Sequence, residues 1–164
     1  MKINIADVKA GQDQEFSYVT NAEELEIPTD VCEFEDGISV SGIVRQTGSA
    51  YRVQGSIRCR KKFCCDRCLK PSVTEQTHEF SEDFCTDAER AEREAIGCID
   101  GEILDITEMI RDTLLAAQPL SNICRPDCRG LCPVCGADLN LEKCTCEPLA
   151  PDPRLAVLQQ FKSK

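Results

Sequence analysis

Cys124, Cys128, Cys132, Cys135, Cys144 and Cys146 fall within the 23-residue string CRPDCRGLCPVCGADLNLEKCTC, and Cys65 and Cys68 form a further pair in CDRC. Thiols at this spacing grip one tetrahedral ion from a tight turn, and soft thiolates select zinc among the metals a cell commonly offers. The strongest element is Cys132-Pro133-Val134-Cys135-Gly136. Its proline shapes the loop, and a glycine just past the second ligand takes the φ > 0 conformation that turns backbone amides toward sulfur. It reads as a zinc knuckle.

The eight cysteines make four pairs, so one or two structural Zn2+ ions are expected. The simplest division puts 132/135 with 144/146 and 65/68 with 124/128. The rival division joins 124/128 with 132/135 and leaves 65/68 and 144/146 partly or wholly free. Cys144 and Cys146 reach one ion only if residues 143 to 147 turn sharply. Two other readings stand beside a metal at Cys65 and Cys68: a reduced, metal-free thiol pair, and a redox dithiol of the C-x-x-C kind, against which Pro71 argues by breaking any helix that would start in the motif. Cys32, Cys59, Cys64, Cys85 and Cys98 are core or surface thiols, with Cys64 a substitute ligand beside Cys65. The single His78 reads as a surface imidazole.

Arg58, Arg60, Lys61, Lys62, Arg67 and Lys70 are opposed only by Asp66 over residues 58 to 70, a local charge of +5. These six are the candidate RNA or partner contacts. Their alternative task is to stabilise the excess negative charge of a four-thiolate zinc site. Phe63 is the one aromatic in the run, so the stacking platform of a dedicated single-strand binder is missing.

The elements that must position these groups follow from periodicity. Ile38, Val40, Gly42 and Val44 alternate with mostly polar neighbours, residues 47 to 50 turn, and Tyr51, Val53, Gly55, Ile57 and Cys59 resume the two-residue period, which predicts a hairpin. Shorter strands are expected at Lys2 to Ile5, Phe16 to Val19, Val31 to Phe34 and Val73 to Phe84. The CDRC loop then sits at one end of the sheet. Residues 86 to 98 are charged and alanine-rich and read as a mobile linker in preference to a short helix. Residues 103 to 118 place Ile106, Met109, Ile110, Thr113, Leu114 and Ala117 on one helical face, with Asp105 as N-cap and Pro119 beyond the end. Leu155, Leu158 and Phe161 have helical spacing near the C-terminus. The expected fold is α+β: an antiparallel sheet or small open barrel with one packed helix, over residues 1 to 118, and a Cys-rich zinc-knuckle module with a short terminal helix, over 119 to 164.

Composition bounds the function. The chain has 164 residues, 41% hydrophobic, with no Trp, and a formal charge of -10. Two ions on eight thiolates would add -2 each and bring the total near -14, which disfavours broad adhesion to nucleic acid. No DNA partner is expected. The N-terminal thirty residues lack a signal-peptide pattern and no stretch has membrane-span length, so the expectation is a cytoplasmic protein with reduced thiols and no membrane partner. No nucleophile elbow, P-loop or dinucleotide fingerprint occurs, and zinc closed by four cysteines keeps no position open for water. An enzyme is not expected.

Three stretches together carry a resemblance: CDRCLKP after a hairpin, CRPDCRGLCPVCGADLNLEKCTC after the helix LDITEMIRDTLLAAQPL, and a terminal DPRLAVLQQFK. From about residue 40 to the end the chain resembles the YceD family of large ribosomal RNA subunit accumulation proteins. The resemblance implies a factor needed for 23S rRNA accumulation and large-subunit assembly, with no known enzymatic activity. It also implies that the motif cysteines are Cys65, Cys68, Cys124, Cys128, Cys132, Cys135, Cys144 and Cys146. The expected partner is a large-subunit precursor, met through a ribosomal protein or its rRNA. The alternative function is a thiol-based redox switch or oxidoreductase using Cys65 and Cys68.

Overall fold

Alternating apolar residues build the hairpin at the centre of the computed structural model, which describes residues 1–29, 32–147 and 154. Strands β4 (Ile38–Thr47) and β5 (Ala50–Cys64) pair antiparallel, with Val40 opposite Ile57 and Val44 opposite Val53, all four fully buried. Strand β2 (Asp13–Thr20) flanks β4, and β6 (Pro71–Cys85) flanks β5. Two-residue β3 (Glu33–Phe34) pairs with the far part of β5, and β7 (Gly97–Cys98) adds to β6 in parallel. A separate two-stranded ladder joins β1 (Lys2–Asn4) to β8 (Ile103–Asp105). The sheets are open and antiparallel to mixed, and the class is α+β. The barrel alternative is not realised among the described residues, because β2 and β7 end the sheet without pairing to each other.

By internal contacts the chain divides into two units. The first comprises residues 1–63 and 71–122, and the second residues 64–70 and 123–164. The first owns the large apolar core. Helix α2 (Thr107–Ala116) contributes Ile110 and Leu114 to it, together with Ile106 just before the helix, all three with no exposed surface. Each such side chain contributes about 1.5–3 kcal/mol by leaving water. The helix is shorter than the sequence suggested: Ile106, and not Asp105, takes the N-cap position, because residues 103–105 are held in the ladder with β1, and the helix ends at Ala116. Asp105 still serves the helix start, its carboxylate accepting from the Thr107 amide at 2.9 Å and from the Thr107 hydroxyl at 2.6 Å.

Residues 86 to 98 are not a linker. Helix α1 (Ala88–Glu94) forms there, capped by Asp87 accepting from the Arg90 amide at 3.1 Å and closed by Ala95 in the left-handed region. Ala91 is buried, and Arg90 pairs with Glu94 one turn on at 2.9 Å. A one-residue apolar face is too weak a signal in the sequence, yet it is enough once β6 and β7 offer a surface. The expected terminal helix at Leu155, Leu158 and Phe161 lies outside the described residues, as does Val31. No described helix is long and apolar enough to cross a membrane.

Candidate metal centre

The second unit is built on sulfur. The ligand atoms of Cys65, Cys68, Cys124 and Cys128 all lie within 4.8 Å of one another, and those of Cys132, Cys135, Cys144 and Cys146 form a second such group. This is the first of the two divisions weighed from the sequence; 124/128 and 132/135 do not share a group. Sulfur separations are 4.0 Å for Cys65 to Cys128 and 3.8 Å for Cys68 to Cys124. A disulfide holds its sulfurs about 2.05 Å apart. The corners of a tetrahedron with metal–sulfur bonds of about 2.3 Å are about 3.8 Å apart. The spacing therefore fits thiolates around one cation, and every cysteine is free of disulfide bonding.

Local backbone chemistry makes the grips. After β5 the chain turns back on itself, with the Leu69 amide donating to the Cys65 carbonyl at 2.8 Å and the Cys65 amide to the Lys70 carbonyl at 2.9 Å. Leu69 accepts a φ of 57° to close that turn. In the other group the Gly136 amide donates to the Cys132 carbonyl at 2.9 Å, and Gly136 has the expected positive φ of 73°. Backbone N–H groups reach sulfur in both: Cys124 to Cys65 Sγ and Val134 to Cys132 Sγ, each at 3.4 Å. Residues 142–147 form no strand, and their course brings both Cys144 and Cys146 to one group.

These amides set the charge. The N–H groups of Cys124 and Cys68 pull the Cys65 thiol down to about 6, and those of Cys135 and Val134 do the same for Cys132, also to about 6. Cys146 moves the other way, up to about 12, chiefly because it lies against Cys135 and beside the easily ionised Cys132. Without a cation, ionising one sulfur opposes ionising the next; a bound cation removes that opposition and releases protons.

Residues outside the cysteine motifs brace the first group. Asp138 pairs with Lys70 at 2.6 Å, and its carboxyl is held down to about 2, first by that ammonium and then by the Asn140 amides. Asn140 Nδ2 donates to Cys128 Sγ at 3.6 Å. The only signal for this pair was an Asx-turn pattern, Asp138-x-Asn140, which is common in ordinary turns.

The basic run is largely consumed by structure. Arg60 pairs with Glu35 and Asp36 at 2.8 and 2.9 Å, and Lys62 with Glu33 at 3.6 Å. Lys61 is 4% exposed and donates to Asn122 at 2.8 Å. Arg67 donates to the Cys128 carbonyl at 2.8 Å, and Lys70 holds Asp138. Arg58 is exposed on β5. The other thiols are core or surface groups: Cys32, Cys59 and Cys85 are buried, with burial pushing Cys59 up to about 11, while Cys64 and Cys98 are exposed. Cys64 stands outside both four-cysteine groups.

A family profile described as large ribosomal RNA subunit accumulation protein YceD matches residues 53–162. The chain belongs to the YceD family. Both cysteine groups fall inside the matched stretch. Uncharacterized proteins of Mycobacterium tuberculosis and Mycobacterium bovis are 33% identical over 104 residues, which is 60% of this chain and 50% of theirs. The chain thus spans about half the length of these curated relatives. A maize protein named as a chloroplastic large ribosomal RNA subunit accumulation YCED homolog is 46% identical over 46 residues, 27% of this chain and 16% of its own. No solved structure matches this YceD-family chain.

Proposed function

We propose that this chain is a non-enzymatic, cytoplasmic ribosome-biogenesis factor that supports 23S rRNA accumulation and large-subunit assembly, with each four-cysteine group closed on a structural Zn2+. The observation that carries the reading is the containment of both sulfur clusters, each with its ligand atoms within 4.8 Å of one another, in a stretch matched by a family named for ribosomal RNA accumulation. Zinc here supplies folding energy to the Cys-rich unit of residues 64–70 and 123–164. Closed on four thiolates, it leaves no site for a reacting water.

Charge argues for the kind of partner. At -10 before metal, the chain repels a phosphate backbone, and Arg60, Lys61, Lys62 and Lys70 are already engaged within their own units. A basic ribosomal protein of the large-subunit precursor complements such a surface better than bare rRNA does. Sedimentation of cell extract through a gradient tests the reading: the protein is expected to travel with large-subunit precursors. Finding it wholly with free protein, in cells accumulating those precursors, would sink it.

The depressed Cys65 thiol and the C-x-x-C spacing favour the redox reading. Against it, Cys65 has no exposed surface and Cys68 only 5%, whereas an exchanging thiol must be reached by a partner disulfide. Both thiols should resist alkylation in purified protein and react only after a chelator is added. Acid should weaken the metal. Cys65 and Cys132 have folded-state values near 6, below the ordinary 9, so their thiolates favour the folded state fully above pH 9, and that contribution fades as pH falls toward 6. Protons compete with the cation in the same direction. Apparent Zn2+ affinity is therefore expected to fall from pH 9 to pH 6 and more steeply below it, and a flat profile in a metal competition assay would exclude thiolate ligands.

A further inference from the structure

The chain between Cys135 and Cys144 belongs by its ends to the second sulfur group, but its side chains serve the first. Asn140 makes four bonds there. Its Nδ2 donates to Cys128 Sγ at 3.6 Å and to Asp138 Oδ1 at 2.8 Å, while its Oδ1 accepts from the Arg129 amide at 2.8 Å and the Arg125 guanidinium at 3.0 Å. Asp138, accepting from the Asn140 backbone at 2.9 Å, reaches Lys70 at the end of the CDRC loop. Main-chain bonds run the same way: Leu139 donates to the Gly130 carbonyl at 3.0 Å, and Leu131 to the Arg67 carbonyl at 3.0 Å. Residues 125, 128 and 129 are thereby held by a segment whose two ends are set by Cys132 and Cys135 on one side and Cys144 and Cys146 on the other.

We infer that the two four-cysteine groups load metal cooperatively, and that Asn140 is the positioning residue through which the second group prepares the first. The inference rests on the metal reading proposed above. Its physics is that of a group hydrogen-bonded to a ligand sulfur, which fixes the thiolate and tempers its charge. With the second group empty, the segment carrying Asn140 loses the anchors at both ends, so Cys128 loses its donor and the first group must be ordered at the moment of binding. Reciprocity follows: metal in the first group must equally favour metal in the second.

Titration of reduced, metal-free full-length protein with Zn2+ and separately with Co2+, whose absorption reports tetrahedral thiolate coordination, tests this. Two ions per chain are expected, bound with a steeper isotherm than independent sites give. Cys135→Ser should weaken the remaining site by about 10- to 100-fold, the range seen for loss of a ligand's supporting partner. Asn140→Ala should weaken the first group by at least about 10-fold while leaving the second able to bind. Combined, the two substitutions should cost the first group no more than Cys135→Ser alone, because both break one line of support. If Asn140→Ala left affinity unchanged, or if the two losses simply multiplied, the coupling through Asn140 would be wrong. Failure of the wild-type protein to take up either ion would instead overturn the metal reading itself.

Discussion

Cys65→Ser is expected to remove a bound metal ion and to loosen residues 64–70 and 123–131, the largest effect of any single replacement in the second unit. Cys65 has no exposed surface, accepts the Cys124 amide, and sits 4.0 Å from Cys128. A serine hydroxyl does not ionise near neutral pH, so the fourth ligand and the charge balance of the group vanish together. Structural zinc contributes an apparent ~10–16 kcal/mol in small metal-dependent folds, and the apolar neighbours of this group, chiefly Ile123, offer nothing comparable. Metal analysis joined to amide hydrogen exchange reads the result. Exchange in the strands β4 and β5 should stay as it was, since their core is apolar and separate. Full metal content in the variant, with protection at 123–131 intact, would show that Cys65 is no ligand.

Gly55→Val should destabilise the first unit by more than about 4 kcal/mol, a size reserved for backbone obstruction or badly broken cores. A Cβ on Gly55 would sit 2.2 Å from the Ser41 carbonyl oxygen, 2.7 Å from the Gly42 Cα and 2.8 Å from the Phe80 ring. Two of these obstacles are backbone, and they belong to the strand paired directly with Gly55, so relief requires β4 and β5 to part at the middle of the sheet. The rings of Phe16 and Phe80 stack over this glycine pair, centroids 6.5 Å apart, and fill the space that side chains would otherwise take. Chemical denaturation measures the loss. A change of less than about 1 kcal/mol would mean that the strands yield far more easily than packed sheets do.

The central hairpin and the buried stripe of α2 were legible because their apolar residues repeat at 2.0 and 3.6, and period depends only on local geometry. The shorter elements were not. Helix α1 owes its existence to an Asp87 cap and to Ala91 finding a surface on β6 and β7, and a seven-residue helix does not persist on propensity alone. The basic run shows how charge along the chain differs from charge in space. Read along the chain it is a patch of +5, but strand pairing sets Glu33 opposite Lys62, and Arg60 reaches Glu35 and Asp36 just beyond. Charges twenty-four residues apart in sequence cancel in space.

By itself the sequence determined that eight thiols stand in four close pairs of the kind that suits a soft cation, because ligand type and short spacing are properties of a few consecutive residues. The hairpin was likewise readable from its alternation, while the register that sets Gly42 opposite Gly55 came from the structure. Only the tertiary structure decided which pairs meet, since joining Cys65 and Cys68 to Cys124 and Cys128 closes a loop of over fifty residues whose course no local pattern encodes. The same holds for Asn140, a turn residue until the folded chain carries its amide to a sulfur of the other group. Local chemistry names the donors, and long-range contacts, which must repay the entropy of closing large loops, choose among them.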